Sequence, residues 1–130
     1  NQLLMCVPGC DGTGKSQFIR AIIHYFQLTT GGELLRKLAP TPIAAAEINE
    51  LTIRSFLGED RKNSKKKQKQ TFRPGNIKLE NDWRREKYLI IDEMSMAGLG
   101  LLACLNRIVT TAKHISSCVP FEGLSVIYFW

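Results

Sequence analysis

An eight-residue string, Gly9-Cys10-Asp11-Gly12-Thr13-Gly14-Lys15-Ser16, constrains this chain more than any other feature, because it sits between a short apolar run and a stretch of helical periodicity. It fits the pattern G-x-x-x-x-G-K-[ST] without a mismatch. Glycines let such a loop curl until successive backbone N–H groups face one point, and the helix that follows adds the partial positive charge of its amino terminus. The product is a cradle for phosphate. Lys15 then bridges the β- and γ-phosphates, and the Ser16 hydroxyl coordinates magnesium. The surroundings agree with this reading: residues 3–7 are apolar and closed by Pro8-Gly9, as in a buried strand ending in a turn. From Lys15 onward Phe18, Ile19, Ile22, Ile23 and Phe26 recur at helical spacing until Thr30-Gly31-Gly32. A glycine turn that merely caps a helix is the plainer alternative, and the strand-to-helix context argues against it.

Beyond the loop, residues 33–39 form a weaker strand candidate ended by Ala39-Pro40-Thr41-Pro42. Ile43 to Ile48 is alanine-rich and helix-prone, and a second short helical turn is expected from Thr52. Residues 59–76 are polar, lysine-rich and closed by Pro74-Gly75, the composition of a flexible loop. Order resumes near Trp83. Tyr88-Leu89-Ile90-Ile91 reads as a central parallel strand covered on both faces. Leu101, Leu102, Leu105, Ile108, Val109 and Ala112 trace one helical face between residues 97 and 113, and the last strand is Ser125 to Phe129. Strands alternating with helices predict an α/β fold: a parallel sheet carrying the phosphate loop, with helices on both faces and the functional site at the carboxyl ends of the strands.

Asp92-Glu93 follows the run 88–91 directly. A carboxylate at a strand tip beside the phosphate loop can hold a magnesium shell, and a neighbouring Glu can polarise an attacking water. Acids often end strands, so the pair gains weight only from its place in the same alternating fold as Lys15. The expected site therefore has Gly9 to Ser16 as the phosphate cradle, Ser16 and Asp92 as magnesium ligands, and Lys15, Asp92 and Glu93 as the catalytic set. ATP and Mg2+ are the implied cofactors.

Bulk properties narrow the alternatives. At 130 residues the chain suits one hydrophobic core, so one domain is expected. No apolar stretch approaches the roughly 18 residues that span a bilayer, and the apolar start is too short for a signal peptide core, so no membrane partner is expected. Cys6, Cys10, Cys104 and Cys118 lack zinc-site spacing and read as reduced thiols of an intracellular protein, while His24 and His114 read as ordinary surface residues. Of the formal net charge of +6, seven basic residues lie between Arg61 and Arg73 with no acid among them, which leaves the remainder near neutral. That tract is either a solvated loop, a nuclear import signal or a DNA-contacting insert. The start at Asn1 and the apolar finish at Trp130 read as cut ends.

Five ordered segments carry a resemblance: Gly9 to Ser16; Ala39-Pro40-Thr41 with Ala44-Ala45; Thr52-Ile53-Arg54-Ser55-Phe56; Ile90-Ile91-Asp92-Glu93-Met94-Ser95-Met96; and Pro120-Phe121 before the final strand. In this order they resemble the petite-integration-frequency (Pif) helicases, superfamily-one motors related to RecD that translocate 5′ to 3′ on single-stranded DNA. The resemblance implies that Gly9 to Ser16 is the first motif and Asp92 with Glu93 the second. It also implies that Thr41, Thr52, Arg54 and Ser55 contact single-stranded or forked DNA, in nucleus or mitochondrion. Pro42, Arg54 and Glu122 depart from the family pattern: Pro42 removes a backbone donor, and Glu122 sets a negative charge in a region expected near nucleic acid. In the family the last strand runs on into Gly-Asp and a γ-phosphate-sensing glutamine, where this chain has Trp130. An adenine-recognising motif, a second RecA-like domain and its arginine finger are also outside the sequence. The chain is thus expected to be an incomplete first motor domain, with a non-catalytic nucleotide- or nucleic-acid-binding remnant as the alternative. A P-loop enzyme acting on a small molecule fits the ordered matches less well.

Overall fold

The computed structural model describes residues 1–10, 12–30, 32–48, 52–53, 80–81, 83–113 and 118–130. Within them the chain runs β1 (Leu4–Val7), α1 (Lys15–Thr30), β2 (Leu35–Leu38), α2 (Pro42–Glu47), β3 (Tyr88–Ile91), a 3-10 turn (Met94–Met96), α3 (Leu99–Lys113), a second 3-10 turn (Pro120–Gly123) and β4 (Ser125–Phe129). The described strands form one sheet in the order β1-β4-β3-β2, with every neighbouring pair parallel. This is the α/β architecture the alternation predicts.

Pleating sends successive residues to opposite faces, so each strand feeds two cores. On one face Ile90 and Phe129 meet Ile19 of α1 and Ala44, Ala45 and Ile48 around α2. Phe129 and Phe18 pack edge to face at 5.8 Å, and Phe26 meets Tyr88 at 4.9 Å, which seats α1 along the middle of the sheet. On the other face Leu89, Ile91 and Val126 meet Leu105, Ile108, Val109 and Ala112, the stripe that the 3.6 period marks on α3. Trp83 and Ile53 are fully buried in this second core. β2 would be a poor strand by composition, since Arg36 and Lys37 occupy half of it. It is held by β3, with the Arg36 guanidinium paired to Glu86 and stacked 5.4 Å over Trp83.

Pro42 opens α2, where its missing N–H has no helical partner to lose and its fixed φ suits the first turn. Glu122 is buried in the turn that enters β4, at the end of that strand remote from the phosphate loop. His24 is exposed on α1. His114, the tract 59–76 and the expected helical turn beyond Ile53 lie outside the described residues. Among those described, no helix is long and apolar enough to cross a membrane.

Candidate nucleotide-binding site

Because all the described strands are parallel, Gly9, Ala39, Asp92 and Trp130 all lie at the carboxyl end of the sheet. β4 separates β1 from β3, so the phosphate loop and the acidic tip stand two strand spacings apart, about 10 Å. That gap accommodates a phosphate and a hydrated cation between them.

The loop has the geometry its glycines predict. Gly12 and Gly14 take positive φ, 79° and 87°, a region unfavourable to side chains with a Cβ. Gly9 serves differently: a Cβ there would lie 2.8 Å from Thr13 Oγ1 and 3.2 Å from Lys15 Cγ and Cδ, so only glycine leaves room for those side chains. The Thr13 hydroxyl donates to the Cys10 carbonyl at 2.6 Å, and Lys15 donates from Nζ to the Gly9 carbonyl, so the ammonium stands over the first turn of the loop. α1 begins at Lys15 with no acidic residue in its first turn, which leaves the positive end of its dipole for an anion. Ser16 follows in that first turn, half-buried.

At the opposite side of the gap, Asp92 is buried and its backbone N–H continues the sheet by donating to the Leu38 carbonyl at 3.1 Å. Its Oδ1 accepts from the Glu93 N–H at 2.9 Å, and Glu93 takes a left-handed conformation with φ 53° and ψ 45°. A non-glycine residue held there turns the chain sharply at the strand tip. An open cavity of about 680 Å³ is lined by Pro8, Gly9, Cys10, Lys15, Glu93, Ser95, Met96 and Trp130. The structure therefore brings Gly9, Cys10, Lys15 and Glu93 to one space and sets Asp92 beneath Glu93. Oxygen donors from a hydroxyl and a carboxylate, Ser16 and Asp92, suit a hard cation such as Mg2+, and the Lys15 ammonium held over the loop suits a phosphate.

Asp11, Arg54 and Ser55 lie outside the described residues. Thr41 caps α2, its Oγ1 accepting from the Ala44 N–H at 3.3 Å. Thr52 is buried and bridges in parallel to Ala39, with the Ile53 N–H donating to the Ala39 carbonyl at 2.8 Å. Both threonines thus stand at the tip of β2, at the same carboxyl end of the sheet as the phosphate loop but at its opposite edge. Sequence reasoning did not assign Pro8, Ser95, Met96 or Trp130 to the cavity. Only their places directly after β1, β3 and β4 could have signalled them.

The loop, the helix it opens and the parallel sheet define a RecA-like P-loop nucleotide-binding domain. Residues 1–117 match the AAA domain family, and the chain belongs to that family. It is 32% identical over 125 residues to the ATP-dependent DNA helicase PIF7 of Trypanosoma brucei brucei, covering 93% of this chain and 12% of that protein. In structure it is similar to the Pif1 helicase of Candida albicans (TM-score 0.76, 28% identity, 98% of this chain and 28% of that one). It is likewise similar to a Bacteroides Pif1 helicase in complex with ADP-AlF3 and single-stranded DNA (TM-score 0.70, 26% identity, 98% and 28%). The chain spans about one eighth of the length of the Trypanosoma relative.

Proposed function

We propose that this domain binds ATP with Mg2+ and serves as the nucleotide-binding part of a Pif-type motor, coupling ATP hydrolysis to 5′-to-3′ movement on single-stranded or forked DNA. One observation carries the reading: Lys15 and Glu93, from loops on two different strands, line the same cavity. There Lys15 neutralises charge on the β- and γ-phosphates and Glu93 orients the attacking water, while Ser16 and Asp92, beside the cavity, hold the cation. The ADP-AlF3 and single-stranded DNA held by the Bacteroides relative support extending the same ligands to this chain. DNA would pass the tip of β2 near Thr41 and Thr52, with Arg54 and Ser55 following in sequence. Work in genome maintenance, in nucleus or mitochondrion, rests on the resemblance.

The 130 residues alone are proposed to bind Mg-ATP without useful turnover. Phosphoryl transfer depends on surrounding the transferring group with positive charge, and Lys15 is the single cation among the cavity's described lining residues. An arginine supplied from elsewhere contributes about 10³ to 10⁵ in rate in other P-loop enzymes. The test is phosphate release by the purified chain with and without single-stranded DNA, beside a Glu93→Gln control, together with calorimetric titration of Mg-ATP. Binding without release is the expected result. Absence of Mg-ATP binding would refute the nucleotide site, and a DNA-stimulated rate abolished by the control would refute the need for a further cation.

A further inference from the structure

The turn after Asp92 sends its side chains two ways. Met94 packs against the core on the α3 face, while Glu93 before it and Ser95 after it line the cavity. Backbone bonds close the turn: the Met96 N–H donates to the Glu93 carbonyl at 3.0 Å, and the Ala97 N–H to the Met94 carbonyl at 2.9 Å. The Ser95 side chain takes no part in holding it. Ser95 is exposed, and its hydroxyl has no hydrogen-bond partner among the described residues. The fold thus sets an available hydroxyl two residues from Glu93, facing the same space.

Orienting a water takes two acceptors. The Glu93 carboxylate accepts one hydrogen of the attacking water, and the molecule still swings about that bond until a second acceptor takes the other hydrogen. Only then does a lone pair point in one direction, and such orientation contributes directly to rate. Among the described lining residues few side chains can supply the second acceptor. The Lys15 ammonium and the Trp130 indole are donors only, and the Cys10 thiol is a weak acceptor. The Ser95 oxygen is the one strong side-chain acceptor there besides Glu93.

We propose that Ser95 is a catalytic residue of the nucleotide site: its Oγ accepts the second hydrogen of the water that Glu93 holds, and together they aim that water at the terminal phosphorus. The proposal rests on the nucleotide-site reading above and adds to it a second contact to the attacking water. Ser95 touches the water and not the phosphate, so it matters only once a water stands in line for attack.

Two fluoride complexes of Mg-ADP separate those states. Beryllium fluoride imitates the terminal phosphate before attack, and aluminium fluoride imitates it during attack, with the water in line. By calorimetry, Ser95→Ala should bind Mg-ADP and Mg-ADP-beryllium fluoride as the unaltered chain does. It should bind Mg-ADP-aluminium fluoride about five- to tenfold more weakly, the effect of one hydrogen bond, and Ser95→Thr, which keeps the hydroxyl, should restore that affinity. An equal loss with both fluorides would put Ser95 on the phosphate and overturns the proposal, as does an equal loss for Mg-ADP alone. Mg-ADP binding that gains nothing from aluminium fluoride in the unaltered chain, or gains as much in Ser95→Ala, also overturns it and leaves the nucleotide site standing. If neither Mg-ADP nor Mg-ATP binds, the site reading fails and the role of Ser95 falls with it.

Discussion

Gly9→Ala isolates the steric demand of the phosphate loop from its charge. Gly9 is not among the described glycines with positive φ, so alanine meets no backbone penalty there. What it meets is Thr13 Oγ1 at 2.8 Å and Lys15 Cγ and Cδ at 3.2 Å. Threonine is branched at Cβ and has few rotamers to escape into, so the hydroxyl must leave the Cys10 carbonyl, a neutral hydrogen bond worth about 1 kcal/mol. Lys15 must also shift, weakening a charge-assisted phosphate contact of about 1.5–3 kcal/mol without abolishing it. Together these predict a loss of about 1–3 kcal/mol, or roughly five- to hundredfold in Mg-ATP affinity. Lys15→Ala, which removes the contact outright, should lose about ten- to a hundredfold by a different route. Melting should change little in Gly9→Ala, because the roughly 0.4–1 kcal/mol gained by restricting the unfolded chain offsets the lost hydrogen bond of about 1 kcal/mol, so lost binding is not mistaken for unfolding. The decisive measurement is a calorimetric cycle of Gly9→Ala, Thr13→Ala and the double variant. Thr13→Ala removes the atom in closest conflict and should restore part of the lost affinity. Unimpaired binding by Gly9→Ala, or a double variant no better than Gly9→Ala alone, would refute the reasoning.

Asp92→Asn keeps an acceptor for the Glu93 N–H but removes the charge, so the gain in ATP affinity on adding Mg2+ should shrink by about tenfold while metal-free binding stays the same. Titrations with Mg2+ and with chelator measure both, and an unchanged metal dependence would remove Asp92 from the cation shell. Deleting residues 61–73 should flatten the salt dependence of single-stranded DNA binding, since each phosphate neutralised contributes about 0.7 to the log–log slope. An unchanged slope would leave the tract a solvated segment. Burial raises the Tyr128 hydroxyl above its ordinary value, so the unfolded chain ionises first. The stability Tyr128 contributes is full below about pH 10 and is lost as pH rises through the folded value, a loss that Tyr128→Phe should remove from urea midpoints in the alkaline range. Lys113 acts with the opposite sign. Burial lowers its ammonium against a smaller raising attraction from Glu86, so the folded chain releases that proton first. Stability should rise with pH in the window below about 10.5, and Lys113→Met should abolish the rise.

How much of this was legible in the sequence depends on how local its cause is. β1, α1, β3, α3 and β4 were readable to within a residue or two because apolar periodicity alone specifies them. β2 was readable only weakly: two of its four residues are basic, and what holds them is Glu86 and Trp83, far along the chain. The settings of Pro42 and Glu122 were not legible for a related reason. The sequence shows a missing N–H and a carboxylate, but whether either matters depends on whether the residue opens a helix or turns into the core before β4.

The acidic pair shows the same boundary inside the site. A strand ending in two acids was visible, yet nothing in the letters requires Glu93 to adopt φ 53°, a conformation most side chains avoid. The structure supplies a cause: the Asp92 carboxylate accepts the Glu93 N–H, a local side-chain bond of the kind that stabilises sharp turns. The two acids therefore work as one device, in which buried Asp92 shapes the turn that brings Glu93 to the cavity. Asp92 holds a place in the candidate cation shell and also supports Glu93, so removing it should disturb water positioning as well as metal affinity. A substitution that keeps the acceptor separates the two roles, because it preserves the turn while discarding the charge.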